Sequence, residues 1–148
     1  ICFFKHLLGV LLIIKARGIA KGVGKGVLLI SSEPISFLSG IDPSSGVITE
    51  EGNQLKGQSI AGKVFAFTYG KGSTVGSYVM YALKKNGKAP TAIINEEAEP
   101  IIAVGAIISD IPMVDHPSTP LKRLKSGTPV TVNGDTGEIT YEGELESY

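Results

Sequence analysis

Val64-Phe-Ala-Phe-Thr-Tyr-Gly-Lys-Gly-Ser-Thr-Val-Gly-Ser-Tyr78 is the stretch whose reading decides the fold. Val64–Phe67 reads as a short apolar strand, and Gly70 and Gly72 turn the chain. Two hydroxyls, Ser73 and Thr74, then open a helix. Val75, Val79, Ala82 and Leu83 recur at the offsets i, i+4, i+7 and i+8 and predict one apolar helix face. Lys84 and Lys85 fall in the last turn, and Asn86-Gly87 supplies a left-handed stop. Thr91–Ile94 returns as a second strand. Strand, crossover helix and strand make a βαβ unit, whose hand is almost always right. Ser73 therefore lies where a strand gives way to a helix, and where free backbone N–H groups and the positive helix end favour an anion or a reacting group.

The Gly-rich turn admits several readings. It lacks the Gly-Lys-Ser or Gly-Lys-Thr triplet of a nucleotide phosphate loop. Gly70, Gly72 and Gly76 give G-x-G-x-x-x-G, one residue longer than a dinucleotide fingerprint. A plain structural reading makes Ser73 or Thr74 a helix N-cap, a position that both residue types favour. Two glycines, a lysine and two hydroxyls in one turn also suit a functional loop.

Outward from this stretch, the pattern continues as mixed α/β. Asn95-Glu-Glu-Ala-Glu-Pro100 leads into a helix with Pro100 in its first turn and acids near its positive end. Ile101, Val104, Gly105 and Ile108 predict its buried stripe, and Pro112–Asp115 a third parallel strand. Asn95 and Glu96 follow a strand's C-terminal end, so they are candidates to line the crevice that holds Ser73; helix-end complementarity is the alternative for the acids. Before the central strand, Ile13–Ala20 and Gly26–Ile30 read as strands joined by a hairpin-like link, Lys21-Gly-Val-Gly-Lys25. Ile35, Phe37 and Leu38 are expected anchors, and Val47-Ile48 a short strand. Near the C-terminus, Val130/Val132 and Ile139/Tyr141 alternate around Gly134-Asp-Thr-Gly137, which predicts a β-hairpin.

Composition narrows the function. The 148 residues suit one domain, with 14 basic and 14 acidic residues and no basic stripe interleaved with aromatics to suggest nucleic-acid binding. Cys2 is the single cysteine, so this chain alone builds neither a disulfide nor a cysteine-ligated cluster. His6 and His116 are isolated, and no metal site is expected. The apolar run Leu7–Ile14 is eight residues long, too short to span a bilayer. Residues 1–12 are expected to be an N-terminal apolar appendage and 13–148 the domain.

Three segments carry a family resemblance: Glu33-Pro-Ile-Ser-Phe-Leu-Ser-Gly-Ile-Asp42; Gly70-Lys-Gly-Ser-Thr-Val-Gly-Ser-Tyr78; and Lys85-Asn-Gly87 with Ala92-Ile-Ile-Asn-Glu-Glu-Ala-Glu-Pro-Ile-Ile-Ala-Val-Gly105. Together they resemble the small subunit of the aconitase-X type enzymes in its stand-alone archaeal form, over roughly Lys15 to Gly143. The resemblance implies an α/β fold, the swivelling β/β/α domain of aconitase-like enzymes, with a short parallel βαβαβ core and β-hairpins. It implies a large catalytic subunit as partner, carrying an iron–sulfur cluster as Lewis acid, and no cofactor in this chain. It implies a cytoplasmic hydro-lyase of isoprenoid biosynthesis that converts (R)-5-phosphomevalonate to trans-anhydromevalonate 5-phosphate. Ser73 matches the family's proton acceptor. A substrate bearing a carboxylate and a phosphate makes Gly70, Lys71, Gly72 and Thr74 candidate anion contacts. The alternatives are another hydro-lyase of this type, such as a hydroxyproline dehydratase, or a non-catalytic ligand-binding or assembly domain.

Overall fold

The structure is a computed structural model that describes residues 2–6, 9–33, 35–36, 40–68, 70–71 and 74–145. Its strands are β1 (Cys2–His6), β2 (Gly9–Lys15), β3 (Arg17–Ala20), β4 (Val23–Ser31), β5 (Ile35–Ser36), β6 (Val64–Phe67), β7 (Gly70–Lys71), β8 (Ala92–Asn95), β9 (Met113–Asp115), β10 (Pro129–Asn133) and β11 (Glu138–Tyr141). The helices are α1 (Thr74–Lys85) and α2 (Pro100–Ile108), with one 3-10 turn at Leu121–Arg123.

Nine strands form one sheet in the order β1-β2-β11-β10-β4-β6-β8-β9-β3, and β5 pairs with β7 apart from it. β4, β6, β8 and β9 run parallel; the remaining pairs of the large sheet are antiparallel. The crossovers β6-α1-β8 and β8-α2-β9 are the expected βαβαβ core.

Only Ala16 separates β2 from β3, yet β2 pairs with β11 and β3 with β9 at the far edge. The sheet therefore rolls until its last strand continues its second one. The Ala16 N–H donates to the Gly137 carbonyl at 2.7 Å and ties the bend to the β10–β11 turn.

Strand alternation sorts the core into two layers. Leu28, Val64, Ala66, Ala92, Ile94 and Val114 face inward and meet Leu12, Ile14, Val130, Val132, Ile139 and Tyr141 of the antiparallel part. Leu29, Phe65, Phe67, Ile93 and Met113 face the helices and pack with Met80, Leu83, Ile102 and Ala106. The result is three layers, β/β/α. Full burial of each large apolar side chain contributes about 1.5–3 kcal/mol.

Several local expectations need correction. The strand expected to start at Ile13 is β2 and begins at Gly9, where Leu12 pairs opposite Tyr141 and is buried; β1 precedes it at Cys2–His6. Ile13–Ala20 is two strands rather than one. Lys21–Lys25 is not a hairpin link: β4 starts at Val23, and β3 and β4 pair with different neighbours. In α1, Met80 joins Leu83 in the core while Val79 and Ala82 are half-buried. In α2, Ile102, Gly105 and Ala106 are buried while Val104 and Ile108 are about half exposed, at 52% and 50%. A Cβ at Gly105 would stand 2.6 Å from Met80 Sδ and 3.2 Å from Ser77 Cα, so the two helices meet at this glycine and α2 turns that side inward. Ile35 is buried as expected; Phe37 and Leu38 lie outside the described residues. Val47 and Ile48 make isolated bridges rather than a strand.

Candidate active site at the strand C-terminal edge

Parallel registry brings four strand exits into one row. Ser31 lies opposite Phe67, Phe67 opposite Asn95, and Asn95 opposite Asp115. Each stands two residues beyond a helix-facing core residue, so all four face the helix layer. Ser31, Asn95 and Asp115 are buried polar residues. Such a row at the C-terminal ends of parallel strands is where α/β sheets place their ligand crevice.

The polar members are held differently. Ser31 Oγ donates to the Glu33 carbonyl at 2.8 Å and accepts from Asn53 Nδ2 at 3.2 Å. Asp115 Oδ1 accepts from Arg17 Nε at 2.8 Å, and its Oδ2 from Arg17 Nη2 at 2.7 Å and the Ala98 N–H at 3.0 Å. His116 Nδ1 lies 3.0 Å from the same Oδ2, on a residue with φ of 49°. Burial pushes the Asp115 carboxyl up, but the Arg17, Ala98 and His116 hydrogen bonds and the Arg17 charge hold it below the usual carboxylate value. Neither amide atom of Asn95 has a hydrogen-bond partner among the described residues, although the residue is fully buried.

The Gly-rich turn leaves this edge. Gly70 and Lys71 form β7, which runs parallel to Ile35–Ser36 with Ser36 opposite Lys71. Two of the segments that carried the family resemblance are thereby strapped together. Thr74 is the first residue of α1. Gly72 and Ser73, which immediately precede it in sequence, lie outside the described residues. The helix has no acid in its first turn and carries Lys84 and Lys85 in its last. Its N-terminal end keeps its positive character.

Asn95 and Glu96 are not brought together, because successive residues leave a strand on opposite faces. Asn95 faces the helices. Glu96 faces the inner side, where its Oε2 accepts from the Leu121 N–H at 3.4 Å. There it lines a cavity of about 240 Å³ with Ile30, Ser32, Thr68 and Leu121. Of the acids after β8, Glu99 is the helix cap: its Oε2 accepts from the Ile101 and Ile102 N–H groups at 2.9 and 3.0 Å.

Ser31, Arg17, Asp115 and His116 had no signal as a group in the sequence. Arg17 and Asp115 are 98 positions apart and meet only through the β3–β9 pairing. The donor set does not suit a resident cluster in this chain. Cys2 is the only cysteine, and among the described residues no three His, Cys, Asp or Glu side chains converge on a point. No helix among the described residues is long and apolar enough to cross a membrane.

The fold and site define a rolled β/β/α layer domain with a row of polar side chains at its parallel strand exits. The family model of the aconitase X swivel domain matches residues 13–141, and this chain belongs to that family. It is 58% identical over 127 residues to the phosphomevalonate dehydratase small subunit of Methanosarcina acetivorans, covering 85% of this chain and 88% of that one. It is 55% identical over 126 residues to the protein of the same name from Thermococcus kodakarensis, covering 85% and 93%. A crystal structure of Thermococcus kodakaraensis aconitase X in its holo form superposes with a TM-score of 0.83 at 51% identity, over 92% of this chain and 99% of that chain.

Proposed function

We propose that this chain is the small subunit of a phosphomevalonate dehydratase and is active only with a large aconitase-like subunit. The complex removes water from (R)-5-phosphomevalonate and yields trans-anhydromevalonate 5-phosphate. A proton leaves the carbon beside the carboxylate, the hydroxyl leaves the neighbouring carbon, and a double bond forms between them. The observation that carries this reading is identity above one half, over nearly the whole chain, to subunits bearing that name.

In this reading Ser73 accepts the proton. A serine hydroxyl is a weak base in water and acts as one only where its alkoxide is stabilised. In this reading the N-terminal end of α1 supplies such a field, and Lys71, two residues before Ser73 in sequence, adds a positive charge. Gly70, Lys71, Gly72 and Thr74 contact the anionic groups of the substrate, and Asn95 and Glu96 support the same strand edge. Departure of the hydroxyl is the large subunit's share, since the iron–sulfur cluster of the reading resides there. The functional domain spans 13–148, and the protein works in the cytoplasm.

Dehydration of (R)-5-phosphomevalonate, measured with and without the large subunit, tests the proposal. Turnover is expected only from the complex, and is lost when Ser73 becomes alanine. Turnover by this chain alone, or none by the intact complex, would overturn it.

A further inference from the structure

We propose that the cavity on the inner face of the strand exits is the subsite for the substrate's carbon skeleton, with Glu96 accepting from a substrate hydroxyl and Lys122 set against an anionic group. The inference rests on the dehydratase reading and assigns a place within that site. The cavity measures about 240 Å³. Three strand exits wall it: Ser32 follows β4, Thr68 follows β6 and Glu96 follows β8. Ile30 and Leu121 supply apolar lining, and Lys122 on the 3-10 turn lines it as well.

The chemistry matches a small branched hydroxy acid. Apolar walls take methyl and methylene carbons, and the exposed Lys122 brings a positive charge to the lining. The Leu121 N–H fixes Glu96 Oε2, so the carboxylate enters the pocket oriented and as an acceptor. Thr68 stands two residues before Gly70, where the Gly-rich turn begins in sequence. The amide atoms of Asn95, on the opposite face, have no exposed surface through which a ligand could reach them. Of the two neighbouring candidates, Glu96 is therefore the one that lines a space a ligand can enter.

The experiment uses the complex with its large subunit. In Lys122→Met the KM for (R)-5-phosphomevalonate is expected to rise about tenfold, with kcat changed less than about threefold, the signature of lost uniform binding. Glu96→Gln keeps an acceptor for the Leu121 N–H and is expected to raise KM severalfold. Lys84→Met, at the other end of the strands, is the control and should leave KM unchanged. Unchanged KM in both pocket variants would overturn the proposal while leaving the dehydratase reading intact. If the wild-type complex does not turn over the substrate, that reading fails separately. The pocket is then probed by titrating the isotope-labelled chain in the complex with (R)-5-phosphomevalonate. Amide shifts at Thr68, Glu96 and Leu121 support the subsite, and their absence overturns it.

Discussion

At the C-terminal ends of β4, β6 and β8 the chain sets polar side chains and a cavity, whereas at their N-terminal ends it sets backbone against backbone. Asn95 and Ser31 are buried polar groups at the first end, and the Asn95 amide has no partner among the described residues. At the other end a Cβ on Gly24 would lie 2.0 Å from the Thr91 carbonyl oxygen, so β4 has no room there for any side chain. The groove beside it is broad, about 700 Å³, and its charges are mixed: Lys21, Lys25 and Lys84 with Asp110 and Asp135. Buried atoms without a partner among the described residues occur at both ends, at Asn95 and at Thr91 Oγ1, so what sets the first end apart is its row of buried polar side chains beside the cavity that Glu96 lines. The other spends its close contacts on fixing the strands.

The comparison can be broken at either end. Ser73→Ala in the complex should lower turnover about 10²–10⁴-fold, the range of a positioned acid–base group, with thermal melting nearly unchanged. If the hydroxyl is only a helix cap, the loss is about 1 kcal/mol of stability with turnover kept. Thr74→Ala removes a proposed anion contact and not the base, so it should raise KM with a much smaller loss of turnover; equal losses of turnover in both variants would point to a damaged turn.

At the opposite end, Gly24→Ala should behave in reverse. The methyl group meets backbone that cannot yield without parting β4 from β8's approach, and the expected destabilisation is roughly 1–3 kcal/mol in urea unfolding. Turnover per folded complex should stay near normal. A neutral substitution would show that the close packing there is not structural.

Asp115 sharpens the comparison because it sits at the functional end yet acts as a structural tie. Asp115→Asn should cost about 1–3 kcal/mol, since the buried carboxylate satisfies Arg17 and the Ala98 N–H. The folded-state carboxyl is held below its ordinary value of about 3.9, so its contribution is full above that pH and is lost as pH falls through the lower folded value. Stability measured from pH 6 down to about 2 should therefore fall less steeply in the variant than in the parent. Parallel acid limbs would contradict the assignment.

The smallest effect on activity is expected from the N-terminus. The proposal that 13–148 is the functional domain predicts that removing residues 1–12 keeps fold and assembly. Loss of the buried Leu12 should cost about 1.5–3 kcal/mol of stability. If the truncated chain fails to fold or to bind the large subunit, β1 and the start of β2 belong to the domain.

Read alone, the sequence determined the parts whose signals are local. β6, α1, β8, the start of α2 at Pro100 and the β10–β11 hairpin follow from short-range periodicity, Asn86-Gly87, and the Gly134–Gly137 turn. The same locality marked Gly70–Thr74 as the candidate turn. Tertiary structure alone decided three things. α2 is apolar on every side, so no polar face sets its rotation; contact of Gly105 with Met80 and Ser77 does. Ile13–Ala20 reads as one strand in sequence, and it divides at Ala16 because β11 and β9, far along the chain, claim its two halves. Asn95 and Glu96 are neighbours in sequence and point to opposite faces because pairing with β6 fixes the register of β8, and a one-residue slip would exchange them.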